Sequence, residues 1–190
     1  MFELQFATPH EWTETVLKDF DHFLIDHAAA EKKASGMAMS MALHYKDKAD
    51  LVTAMIDLAI EELAHFREVI KIMQNRNLLM LPDERDPYVN GLRQHVRKTR
   101  DESCIDRLVV GSIIEARGAE RFGLIAEALP PGKLKTFYQT ITRSEDKHQD
   151  LFINLGYQYF QQSLIDQRLK ELLDIEAALV EQLPHRPALH

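Results

Sequence analysis

Apolar residues along this chain recur close to a helical period. Leu51, Ala54, Met55, Leu58, Leu63, Phe66 and Ile70 form one such series, and they predict a helix from Leu51 to about Gln74 with Asp50 as its cap. Upstream, Thr8-Pro9 followed by Glu11 and Trp12 reads as a helix start, with Thr8 capping and Pro9 at the first position. No proline then occurs before Tyr45, which predicts one helix, or two with a kink near Ser35-Gly36. Residues 75–90 break the pattern, punctuated by Pro82 and Pro87, and a short basic segment follows over 91–100. Further helices are expected over about 102–129, 133–156 and 164–182, the third and fourth divided by Pro130-Pro131-Gly132. The last carries Leu164, Ile165, Leu169, Leu172, Leu173, Ile175 and Leu179 along one side. No segment alternates in the manner of a strand.

The connections between these helices run short, long, short. That order is the connectivity of a ferritin-like four-helix bundle, in which one long crossover joins two helical hairpins. The expected fold is therefore all-α and ferritin-like, with an additional C-terminal helix, as a single domain over residues 1–190.

Composition narrows the function classes. The 190 residues are 45% hydrophobic and 28% charged, which fits one globular domain with a sizeable core. No apolar run approaches the roughly 20 residues that cross a bilayer. The opening MFELQFATPHEW lacks the basic-then-apolar pattern of a secretion signal. No membrane association and a cytoplasmic location are the expectation. A single cysteine, Cys104, excludes an internal disulfide framework and a cysteine-cluster metal site. The net charge of -7 argues against a general nucleic-acid binder, though not against a local basic patch.

Two Glu-x-x-His motifs carry the candidate chemistry: Glu62-Leu63-Ala64-His65 and Glu145-Asp146-Lys147-His148. Residues three apart on a helix share a face, so each motif can offer a carboxylate and an imidazole to one ion. A lone motif of this kind is weak evidence. Here each is preceded by a glutamate on the previous predicted helix, Glu31 by 31 residues and Glu115 by 30. The chain thus reads as two copies of one metal-binding hairpin. One Glu from each of two helices plus Glu-x-x-His from each of the other two is the carboxylate-bridged dinuclear pattern. Four carboxylates and two imidazoles suit two iron ions, with manganese the second choice.

Around the lone glutamates stand small residues: Ala28, Ala34 and Ser35, then Gly111, Ser112, Gly118 and Ala119. They fit either close helix packing or space for dioxygen and a substrate, whereas Leu58, Phe66, Ile141 and Phe152 are bulky enough to seal an opposite side. His27, one turn before Glu31, suits a partner to a ligand better than a seventh ligand. His22, His44, His95, His185 and His190 are expected at the surface, and the methionines of 37–41 in the core.

Several strings of this sequence resemble the MiaE family of tRNA hydroxylases. They are Leu24-Ile25-Asp26-His27-Ala28, Glu31-Lys32-Lys33-Ala34, Glu61-Glu62-Leu63-Ala64-His65-Phe66, Glu115-Ala116-Arg117-Gly118-Ala119-Glu120-Arg121-Phe122 and Ser144-Glu145-Asp146-Lys147-His148. The resemblance spans about residues 5–185, fills all six ligand positions, and is most specific in the string that begins at Glu115. It implies a nonheme diiron monooxygenase that uses O2 to hydroxylate the isopentenyl group of 2-methylthio-N6-isopentenyladenosine beside the tRNA anticodon. The diiron centre would be Glu31, Glu62, His65, Glu115, Glu145 and His148. Two electrons would come from an external donor such as a ferredoxin or reductase, since no flavin, nicotinamide or cysteine-cluster motif is present.

Arg93, Arg97, Lys98, Arg100, Arg117 and Arg121 are the candidate tRNA contacts, with Lys133 and Lys135 adding charge nearby. Other readings of the same pattern are a rubrerythrin-like peroxidase, an aldehyde oxygenase or an iron storage protein. A metal-free helical bundle is the remaining alternative.

Overall fold

A computed structural model describes residues 2–190. Among them are seven helices and no strand: α1 His10–Lys18, α2 Phe20–His44, α3 Ala49–Asn75, α4 Pro87–Arg93, α5 Arg100–Ala128, α6 Lys133–Tyr159 and α7 Gln162–Gln182. The chain divides into two compact units. One comprises residues 14–84 with 186–189, and the other residues 2–13 and 85–185 with His190.

The first unit is built on the α2–α3 hairpin. Neither one continuous helix nor a kink near Ser35-Gly36 is observed, and the break falls instead at Asp19. The Asp19 carboxylate accepts from the His22 amide at 3.3 Å and so starts α2. An acceptor placed against an otherwise orphaned amide initiates a helix more strongly than a mid-helix glycine terminates one. Two of the expected caps are also replaced. Lys48, not Asp50, precedes α3, and no side chain caps that helix. Thr8 does not cap α1, because its amide and hydroxyl bond the Glu120 carboxylate at 2.9 and 2.6 Å.

The apolar face of α3 is Leu51, Met55, Leu58, Ala59, Val69 and Met73, all buried. Leu63 departs from the expected stripe and is 51% exposed. Of the methionines at 37, 39 and 41, only Met41 is fully buried, and Met39 is exposed. Ser35 donates its hydroxyl to the Ala59 carbonyl at 2.9 Å, tying α2 to α3.

In the second unit α5 packs on α6 and α7. A helix the pattern did not predict, α4, begins at Pro87, because Asp86 accepts from the Val89 amide at 3.0 Å and Pro87 supplies the first-turn backbone angle. Tyr88, Leu92, Ile105, Val109, Ile113, Ile165, Leu169 and Leu172 form its core. Each such buried side chain contributes roughly 1.5–3 kcal/mol. Leu164, expected on the same stripe of α7, is 48% exposed.

Glycines set the closest approaches in this unit. A Cβ on Gly91 would stand 2.7 Å from Leu179, one on Gly111 3.0 Å from the Phe152 ring, and one on Gly156 3.1 Å from Ile165. His190 departs from the expected surface position. It stacks on Tyr88 with ring centroids 4.8 Å apart, and its Nδ1 lies 3.1 Å from the Asp86 carboxylate.

Candidate functional site

In the first unit, α2 carries Glu31 at mid-helix and α3 carries Glu62 and His65 one turn apart. Glu31 and Glu62 are 4% and 1% exposed. His65 Nδ1 lies 3.3 Å from Glu62 Oε2 and 3.7 Å from Glu31 Oε2. One donor atom from each of these three residues lies within 4.8 Å of the others.

In the second unit, α5 carries Glu115 and α6 carries Glu145 and His148. His148 Nδ1 lies 3.4 Å from Glu145 Oε2 and 3.8 Å from Glu115 Oε2. Again one donor atom from each lies within 4.8 Å of the others. The two trios use the same atom types in the same roles, and their corresponding distances agree within 0.1 Å. The repeat visible in the sequence is therefore a repeat in side-chain geometry.

Electrostatics explain why such a trio needs a cation. Two carboxylates held together out of water repel, and burying either alone is costly. In the first trio the imidazole takes part of that load. Burial disfavours charge on His65, but the facing Glu31 and Glu62 carboxylates outweigh it and raise its pKa to about 10. Burial likewise acts against ionisation of Glu31, and its hydrogen bonds to His27 and His65 prevail, holding it well below the usual carboxylate range.

A divalent ion would replace that proton. Two carboxylates and one neutral imidazole carry a charge of about −2, which one divalent ion neutralises, and the oxygen and nitrogen donors suit first-row metals. The residues present thus fit a metal in each trio.

The small residues resolve mostly as packing. Gly111 admits the Phe152 ring, Ser112 donates to the Gln149 carbonyl at 2.8 Å, and a Cβ on Gly118 would meet the Phe122 ring at an ordinary contact distance of 3.9 Å.

The candidate tRNA contacts divide. Arg93, Lys98 and Arg100 are exposed. Arg97 is committed to Asp106, donating from its backbone amide at 2.7 Å and from its guanidinium at 2.8 Å, and Arg168 joins the same carboxylate at 2.8 Å. Arg117 is fully buried, and a guanidinium without surface cannot meet a phosphate. Its Nε and Nη2 donate to Glu176 at 2.8 and 3.0 Å, and Nη2 also reaches the Phe6 carbonyl at 2.8 Å. Arg121 is 6% exposed and lies over the Trp12 ring at 4.9 Å. Burial and the neighbouring Arg117 charge lower its pKa to about 10. Both arginines are structural. Glu176 and Glu120, which hold Arg117 in place, were not singled out in the sequence, where they are two acids among 30.

An all-α chain that buries two Glu plus Glu-x-x-His trios is a ferritin-like protein suited to hold metal through carboxylates and imidazoles. This chain is similar, at 33% identity and a TM-score of 0.93, to a Synechococcus protein with aldehyde deformylating oxygenase activity, over 98% of this chain and 93% of that one. A family model described as MiaE, tRNA-(MS[2]IO[6]A)-hydroxylase, matches residues 2–190, and the chain belongs to that family of enzymes. It is 37% identical over 152 residues to a tRNA 2-(methylsulfanyl)-N(6)-isopentenyladenosine(37) hydroxylase of Pseudomonas putida, covering 80% of this chain and 74% of the relative. A Salmonella typhimurium hydroxylase of the same description is 35% identical over 130 residues, which cover 68% of this chain and 47% of the relative. Among the described residues no helix is long and apolar enough to cross a membrane.

Proposed function

We propose that the chain is a diiron monooxygenase that hydroxylates the isopentenyl group of 2-methylthio-N6-isopentenyladenosine in tRNA. The single observation that carries this reading is the recurrence of one trio geometry in both hairpins of a member of a tRNA hydroxylase family. Glu31, Glu62 and His65 would hold one iron, and Glu115, Glu145 and His148 the other. When bound and reduced, the iron pair supplies the activation of O2 that a C–H bond of the prenyl group requires. The balance is one C–H bond and one O2, with two electrons and two protons, giving one C–OH and one water. The electrons come from an external donor such as a ferredoxin or reductase.

The protein's own residues bind and exclude. The four carboxylates neutralise the ions, both imidazoles present Nδ1, and Leu58, Ile141 and Phe152, all nearly or fully buried, keep water from the ligands. Arg93, Lys98 and Arg100 are the proposed phosphate contacts that orient the anticodon loop, with the modified base splayed outward. A tRNA substrate places the reaction in the cytoplasm.

The test uses tRNA from cells that make only the unhydroxylated nucleoside. Iron-loaded protein is reduced, given O2 and this tRNA, and the digested nucleosides are weighed. The expected result is a gain of one oxygen on that nucleoside. No gain with a reductant shown to reduce the iron would overturn the reading. The likeness to the Synechococcus oxygenase favours a second reading, aldehyde cleavage, which the same protein incubated with a long-chain aldehyde would reveal.

A further inference from the structure

The two trios match in spacing and distances, yet the residue one turn before the lone glutamate differs between them. Four positions before Glu31 stands His27, and four before Glu115 stands Gly111. His27 is fully buried, and its Nε2 lies 2.6 Å from Glu31 Oε1. The other oxygen of the same carboxylate, Oε2, is the one that faces His65 Nδ1. The two oxygens of Glu31 are thus divided, one toward His27 and one toward the trio. A carboxylate has no proton to give, so the imidazole nitrogen facing it is the donor. In the second hairpin this arrangement is excluded by space. Even a Cβ at Gly111 would stand 3.0 Å from the Phe152 ring, so no imidazole fits there.

We propose that His27 is a positioning residue that reserves Oε1 of Glu31 and presents Oε2 alone to the metal. This rests on the reading of Glu31 as a ligand. A hydrogen-bonded carboxylate loses the freedom to chelate through both oxygens, so the ion near Glu31 gains a fixed one-oxygen ligand. Partners of this kind to a metal ligand typically change metal affinity about 10- to 100-fold when removed.

The test compares wild type with His27→Leu, which keeps the bulk and removes the donor, and His27→Gln, which restores an amide donor. Ferrous or cobaltous ion is titrated into metal-free protein and followed by its electronic spectrum, and the binding step lost in His65→Ala identifies the first position. His27→Leu should weaken that step about 10- to 100-fold and shift its bands, leave the other step unchanged, and be rescued to near wild type by His27→Gln. Unchanged binding and spectrum in His27→Leu would overturn the inference, as would a His27→Gln protein that behaves like His27→Leu.

Should His27→Leu not fold, histidine 15N spectra of zinc-loaded wild type decide the matter. Nε2 of His27 is expected to carry a proton, and an unprotonated or metal-bound Nε2 refutes the proposal. Wild type that takes up no metal at all would defeat the ligand reading itself. Wild-type uptake with indifferent His27 variants defeats only the inference.

Discussion

Replacing Arg117 by leucine tests whether this arginine serves the protein interior. Arg117 and Glu176 are both fully buried, and they meet through two hydrogen bonds, with Nε and Nη2 donating at 2.8 and 3.0 Å. Arg117→Leu would leave the Glu176 carboxylate buried and still accepting from the Tyr88 hydroxyl at 3.0 Å. Breaking a buried pair from one side costs about 3–5 kcal/mol. For a chain of this size each kcal/mol moves the melting temperature by about 2–4 °C, so a fall of roughly 6–20 °C is expected.

The double variant Arg117→Leu with Glu176→Leu removes both charges together and should recover more than about 1 kcal/mol of that loss, because apolar replacement of a whole buried pair is often near neutral. The assay is urea unfolding followed by helical circular dichroism on the four members of the cycle. A single variant within about 1 kcal/mol of wild type would refute the reasoning, as would a double variant as unstable as the sum of the singles. Below its melting temperature, Arg117→Leu should bind tRNA with an unchanged salt dependence, since it presents no charge to solvent.

Three further outcomes are expected. Reversing charge at Arg93, Lys98 and Arg100 together should weaken tRNA binding and flatten its dependence on salt, since each lost phosphate contact lowers the slope by roughly one; an unchanged slope in filter binding would remove this surface from consideration. Glu62→Ala and Glu145→Ala should each lower the iron content of reconstituted protein from about two per chain toward one, measured by elemental analysis, as each strips one of the two ligand sets of a carboxylate. Asp86 has its pKa lowered from 3.8 to about 2, burial opposing and the His190 imidazole and first-turn amides of α4 prevailing. Its folded value lies below the unfolded one, so it stabilises by about 2 kcal/mol above pH 4 and loses this as pH falls toward 2; the melting gap between wild type and Asp86→Asn should close over that interval.

Periodicity located all four long helices and the C-terminal one, because each buries a continuous apolar face that survives as spacing in the sequence. The ends were less legible. Thr8 has the chemistry of a cap, but Glu120, 112 residues away, competes for its hydroxyl, and sequence order cannot reveal such a competitor. The helix at Pro87 escaped notice because its seven residues are too few to show a period and Pro82 and Pro87 read as loop punctuation, although Asp86-Pro87 is itself a start signal.

The six metal-ligand candidates were legible through their repeated spacing, and the structure gathers them into two matching trios. The arginines were not, because charge and position along a helix do not tell which face is covered. Arg117 and Arg121 lie on the same α5 that carries Glu115, on turns covered by Trp12, Thr8 and Glu176.

Each trio closes within a short stretch of covalent chain, Glu31 to His65 and Glu115 to His148. During synthesis the first ligand set is therefore fully present on the nascent polypeptide before any residue of the second has been added. Little loop entropy opposes its assembly, since a four-residue turn at 45–48 joins its helices. The order in which the two trios become complete is thus written into the direction of translation, and a nascent chain that ends before Glu115 carries the first trio and no residue of the second.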